Sequence, residues 1–149
     1  MKSDTVASVG YSTLLFLHVL GAFAMVAGAG LFVAILLALR RHPGSVVAPR
    51  LVPAATIIWG VGSLAAILFG IWLAVHVRDY SITDGWILMA IVLWVIAGAI
   101  GGRISTGYRS LRGAPGAVAD QGQAVLLHAL LVLSVLLILI DMIYKPGAG

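Results

Sequence analysis

The chain has 149 residues, of which 62% are hydrophobic and only 9% charged, with a formal net charge of +4. Its mean hydropathy is +1.13. Soluble domains carry about 25% charged residues, and one this small cannot hide so much apolar surface, so lipid must cover part of it.

Cysteine is absent, which removes disulfides, thiolate metal sites and thiol nucleophiles. The positive charge is not interleaved with aromatics in a basic tract, so no nucleic-acid partner is expected. Length points to a single integral membrane domain over residues 1–149.

Four apolar stretches follow in chain order. Span one, Tyr11 to Leu39, holds no charge and is closed by Arg40-Arg41. It exceeds what an upright helix needs for a hydrocarbon core of about 30 Å, so it should tilt or begin in the interface. It is also too long for the apolar region of a cleaved signal peptide, which runs about 7–15 residues. Span two, Leu51 to Val77, ends at Arg78-Asp79 and carries Pro53 in its first turn, where a missing N–H does little harm. Span three, Gly85 to Gly102, follows Asp84, whose carboxylate suits a helix N-cap. Span four, Gln123 to Tyr144, is stopped by Pro146-Gly147. Asp141 and Lys145 lie four residues apart near its end, the spacing of an interfacial ion pair. The predicted fold is all-α: an antiparallel bundle of four transmembrane helices.

The loops set the expected orientation. Arg40, Arg41 and Arg50 fall between spans one and two, and Arg103, Arg109 and Arg112 between spans three and four; the other side has Lys2, Arg78 and Lys145. Positive charge stays cytoplasmic, so both termini are expected outside, in a multi-pass protein of the bacterial inner membrane. Tyr11, Trp72, Tyr80, Trp86 and Tyr144 would then form an outer aromatic belt, with Tyr108 at the inner edge.

Small residues mark close helix contacts in membranes. Span one carries the stripe His18, Gly21, Met25, Gly28, Phe32; span two Thr56, Gly60, Ser63, Ile67, Gly70, Ala74; span three Trp94, Gly98, Gly101, Ser105. Span four offers His128, Ser134 and Asp141 among Leu, Val and Ile. These faces should pack against other helices, and a cofactor groove would use the same small residues.

Ionisable groups inside a span are expensive and often functional. His18 and His128 lie well inside, His76 one turn from the outer edge, and His42 in a loop. At about 1.5 Å per residue the two inner histidines sit about 10 Å apart along the bundle axis. Because helical side chains lean toward their own N-terminus, those imidazoles diverge and should not share a metal. His18 and His76 converge instead, with Gly70 at the depth of His18 leaving room for a bulky group. His76, however, falls on the stripe Gly62, Ala66, Phe69, Leu73 rather than on the small-residue stripe of span two. Candidate cofactor-binding residues are therefore His18, Gly70, His76 and Met25, and candidate metal ligands His18 and His76. The competing expectation for His18 is a hydrogen bond to a neighbouring helix. No hydrolase or phosphate-binding motif occurs and the chain has no glutamate, so the polar inventory points away from an enzyme.

The segment FLHVLGAFAMVAGAGLF from Phe16 to Phe32 resembles the first helix of an uncharacterised bacterial family of predicted integral membrane proteins, with its Leu-His pair followed by small residues. FGIWLAV (Phe69 to Val75) and DGWILMAIVLWVIAGAIGG (Asp84 to Gly102) are similar to that family's middle, and DMIYKPG (Asp141 to Gly147) resembles its Met-x-x-Lys-Pro ending. The family in turn looks distantly similar to the copper resistance D proteins and to the haem-pathway protoporphyrinogen oxidase HemJ. The resemblance implies haem b or copper at His18, with Met25 and His76 as the nearest further donors. The lysine of HemJ-type helix three has no counterpart here.

Two functions are thus expected. One is a non-catalytic subunit or small-solute permease, working as a homo-oligomer or with a membrane partner. The other is a haem- or copper-binding protein using His18 in electron transfer or cofactor handling.

Overall fold

The computed structural model describes residues 2–42, 44–76, 83–113 and 121–144, with side chains at 10–42, 44–75, 83–109 and 122–144. Four helices account for almost all of it: α1 (Lys2–Arg41), α2 (Val52–His76), α3 (Gly85–Gly113) and α4 (Gln121–Tyr144), with a short 3-10 turn at Ala48–Leu51 leading into α2. All four are long and apolar enough to cross a membrane, and the fold is the expected all-α bundle. Phe23, Ile57, Val61, Leu68 and Ile143 point outward, each more than half exposed. Such a surface belongs in lipid rather than water.

Local chemistry explains the ends. Ser45 Oγ accepts the Ala48 N–H at 3.3 Å, satisfying a donor that the entering turn would leave bare. Pro49 and Pro53 then sit where chain entry tolerates a missing N–H. At the start of α3 the Asp84 carbonyl accepts the N–H groups of Ile87 and Leu88.

α3 is longer than the hydropathy pattern indicates. It runs through Gly102 to Gly113, so Arg103, Arg109 and Arg112 lie on the helix rather than in a loop. The cause is packing: Ile104, Ser105 and Tyr108 recur on one face and are buried, while Arg103 and Arg109 are exposed. That buried face carries the helix past the end of its apolar stretch.

The bundle consists of two hairpins, α1–α2 and α3–α4, each packed closely within itself and less extensively against the other. Glycine makes the first hairpin tight. A Cβ on Gly21 would fall 2.6 Å from the Ala66 nitrogen, on Gly28 2.6 Å from the Trp59 Cα, and on Gly62 2.5 Å from the Met25 nitrogen. The backbones can approach this closely only without side chains, the usual basis of helix association in lipid. Gly101 likewise makes room on α3 for the Trp59 indole, whose Nε1 would be 2.6 Å from a Cβ there.

Two polar links tie the hairpins together. The Thr56 hydroxyl donates to the Val52 carbonyl at 2.8 Å, so the Ser105 hydroxyl donates to Thr56 Oγ1 at 3.0 Å. Trp94 Nε1 donates to Ser63 Oγ at 2.7 Å and to the Ser63 carbonyl at 3.1 Å.

The main core lies toward the end where α1 finishes and α2 begins, around Phe32, Ile35, Val52, Trp59, Ile104 and Leu131. Arg40, Arg41, Arg50, Arg103 and Arg109 are at this same end. The opposite end has a smaller cluster of Ala74, Trp86 and Ile87.

Several face assignments change. The span-one stripe His18, Gly21, Met25, Gly28, Phe32 turns inward, though His18 is only half-buried. On span two, Gly60 faces open space and Gly62 makes the contact. On span three, Gly101 and Ser105 are buried, but Gly98 has nothing within 4 Å of a Cβ. Trp86 is only 6% exposed and Tyr108 is buried, so neither stands in an aromatic belt. Tyr11, Trp72 and Tyr144 are exposed as expected, and Tyr80 lies outside the described residues.

Candidate ligand site at His18

α1 and α2 run antiparallel, which brings His18 level with Ala66 and Gly70. His18 Nδ1 lies 2.8 Å from the Ala66 carbonyl oxygen. A carbonyl only accepts, so Nδ1 carries the hydrogen and donates it. Gly70 makes the contact feasible, because a Cβ there would sit 3.0 Å from both His18 Nδ1 and Cε1. The imidazole thus takes up part of the space beside Gly70, which also lines a cavity at this site.

In the neutral ring Nε2 keeps its lone pair, and among the described residues it has no hydrogen-bond partner. This is how metal-ligating histidines are commonly held: the second nitrogen is tied to a carbonyl, fixing tautomer and ring orientation. It is also the interhelical hydrogen bond expected of a packed histidine.

Two open cavities meet at His18. The first, about 270 Å³, lies among all four helices beside Leu15, Gly70, Trp86, Ile87 and Met142. The second, about 380 Å³, runs between α1 and α4 past Phe23, Met25, Trp94, Ile138 and Ile143. His18, Ala66, Ile67, Ala90 and Met142 line both. The second cavity is rimmed by the exposed side chains Val19, Phe23, Val26 and Ile143, so it opens laterally to lipid. Looser packing between the hairpins leaves this space, and the main core closes the bundle beyond it.

The remaining candidates separate. Met25 lines the second cavity and is buried in the core. His76 ends α2, and its side chain lies outside the described residues, as does Lys145. Gly62, Ala66 and Leu73, earlier on α2, are buried. No group of three or more His, Cys, Asp or Glu side chains able to hold a metal comes together among the described residues.

His128 belongs to the opposite half. Its Nδ1 donates to the Ala124 carbonyl at 2.7 Å, and its Nε2 accepts the Tyr108 hydroxyl at 3.1 Å. The rings meet edge-on with centroids 5.8 Å apart. Both nitrogens are committed, and His128 shares no site with His18. Asp141 is only 6% exposed, and its Oδ2 has no hydrogen-bond partner among the described residues; the expected pair with Lys145 falls on a residue outside them.

Two features carry no local sequence signal: the Ala66 carbonyl, which any residue would supply, and Met142, whose place on both cavities depends on how α4 docks. Compared with known proteins, the chain matches no family model, no curated protein and no solved structure.

Proposed function

We propose that this protein is a non-catalytic, membrane-embedded binding protein that takes a small apolar molecule from the lipid phase into the cavity beside His18. The observation that carries this is the His18–Ala66 bond, which leaves Nε2 uncommitted among the described residues, on a side chain that lines two open cavities.

Haem b fits the donor set better than copper. One neutral imidazole nitrogen is an ordinary axial ligand for haem iron, and an apolar cavity suits a porphyrin face. A bare copper ion would have to be desolvated into the same lining, with only the thioethers of Met25 and Met142 as further soft donors. Haem held by His18 would supply redox chemistry, and it would exclude any other occupant from Nε2. Titrating the purified protein with haemin should produce a Soret band that His18→Ala weakens or abolishes. A spectrum identical in the two proteins would count against His18 as the ligand.

The arginines gathered at one end support termini on the far side of the membrane from them, hence outside in a bacterial inner membrane.

A second role, as a self-associating subunit, is favoured by one observation. Gly98 and Gly102 have nothing within 4 Å of a Cβ, and Thr106, its hydroxyl donating to the Gly102 carbonyl at 2.9 Å, is exposed on the same face. This small-residue face has the spacing of close helix dimers in lipid. Gly98→Ile with Gly102→Ile should leave the monomer folded and abolish crosslinked dimers. Unchanged crosslinking would remove this role for α3.

A further inference from the structure

We infer that the ligand of the His18 cavity is a quinol: a hydroxylated aromatic ring with an isoprenoid tail, bound in its reduced form. The inference rests on the proposed reading of the cavity as a ligand site and names the chemical class that its lining selects.

With Nδ1–H given to Ala66, the neutral His18 ring offers the cavity only an acceptor at Nε2. The Trp94 N–H, on the wall of the second cavity, is already given to Ser63, and the hydroxyl of Tyr11, which lines the first, can donate to a quinol oxygen and a quinone carbonyl alike and so does not discriminate between them. An occupant that satisfies Nε2 must therefore bring its own donor on an otherwise apolar body. A phenolic hydroxyl does so; a quinone carbonyl instead places its lone pairs against that of Nε2.

The cavities match the two parts of such a molecule. The first has Trp86 and the small residues Gly70, Ala74 and Ala90 around His18, which suits a flat ring. The second extends from His18 past Val26, Ile138 and Leu139 and is almost wholly apolar, which suits prenyl units. Its rim of Val19, Phe23, Val26 and Ile143 is exposed, so a lipid-dissolved molecule can enter sideways without crossing water.

Reduced and oxidised ligands should differ in affinity by about tenfold, because only the reduced form makes the hydrogen bond while both bury the same apolar area. The test is anaerobic titration of the full chain in nanodiscs with one-isoprene ubiquinol, its quinone and its dimethyl ether. Binding is read from quenching of the cavity tryptophans Trp86 and Trp94. The expected order is the quinol about tenfold tighter than the other two, with the preference lost in His18→Ala.

Ala90→Phe, which fills the wall common to both cavities, should abolish binding of all three. It keeps the test independent of whether His18→Ala folds. Equal affinities in the wild type, or a quinol preference that survives His18→Ala, would overturn the inference. If haemin gives a His18-dependent Soret band while the quinol shows no preference, the ligand class is wrong and the site stands. If neither ligand binds, the site itself is wrong.

Discussion

Gly28→Leu should unfold the first hairpin at a cost of about 3 kcal/mol. A Cβ at this position would lie 2.6 Å from both the Trp59 nitrogen and Cα and 2.8 Å from its Cβ. Backbone atoms cannot rotate away as a side chain tip can, so α1 and α2 must separate. Separation would spread along the seam to Gly21 and Gly62 and lengthen the His18–Ala66 bond. Gly30→Leu is the matched control, since nothing lies within 4 Å of a Cβ there. Denaturant unfolding in detergent micelles, followed by helical circular dichroism, would compare the two. Equal stability of the two variants would mean that the seam does not hold the hairpin together.

The second large effect is expected at Phe32. Its side chain is 0% exposed and sits in the core with Ile35, Trp59 and Leu131. In a membrane the phenyl ring is in an apolar medium whether or not the bundle is assembled, so the usual transfer term largely cancels. What Phe32→Ala loses is packing against a void that the core cannot fully close, about 2 kcal/mol on the cavity scale. Phe23, at 70% exposed, makes the opposite prediction: Phe23→Ala exchanges contact with lipid and should change stability by less than about 0.5 kcal/mol. The same unfolding measurement applies. A Phe23 variant as damaged as the Phe32 variant would contradict the assignment of the α1 faces.

Both predictions depend on which side of α1 faces its neighbours, and that was readable before the fold. The stripe from His18 to Phe32 alternates steps of three and four, and the structure turns it inward. α2 shows where such reading fails. Gly60 and Gly62 are equally small, and each belongs to a plausible stripe, but two residues are about 200° apart around a helix. Only docking against Met25 selects Gly62. α3 divides in the same way: Gly101 meets Trp59, while Gly98 and Gly102 face open space.

The aromatic residues show a different limit. Trp86 and Tyr108 lie at depths suited to a belt, yet both are buried. Depth follows from position in the chain, but burial depends on a neighbour: for Tyr108 it is His128, whose ring nitrogen takes its hydroxyl. Arg103 ends the uncharged stretch without ending the helix, since Ile104, Ser105 and Tyr108 continue a buried face beside it.

The candidate site divides along the same line. His18 stood out by itself because a titratable group inside an apolar span is expensive. Gly70 lies level with His18, where its missing side chain admits the imidazole and leaves it on the wall of the first cavity. The acceptor at Ala66 is a backbone atom with no residue signature, and the cavities exist only because the two hairpins meet loosely at that end.

By itself, then, the sequence determined the four spans, their antiparallel order and the separation of His18 from His128. Hydropathy and rise per residue are local properties, additive along a chain. Only the tertiary structure decided which glycine in each pair makes contact, which imidazole nitrogen His18 commits, and where space remains beside it. Those depend on the rotation and approach of one helix against another, and a single residue of rotation is enough to change them.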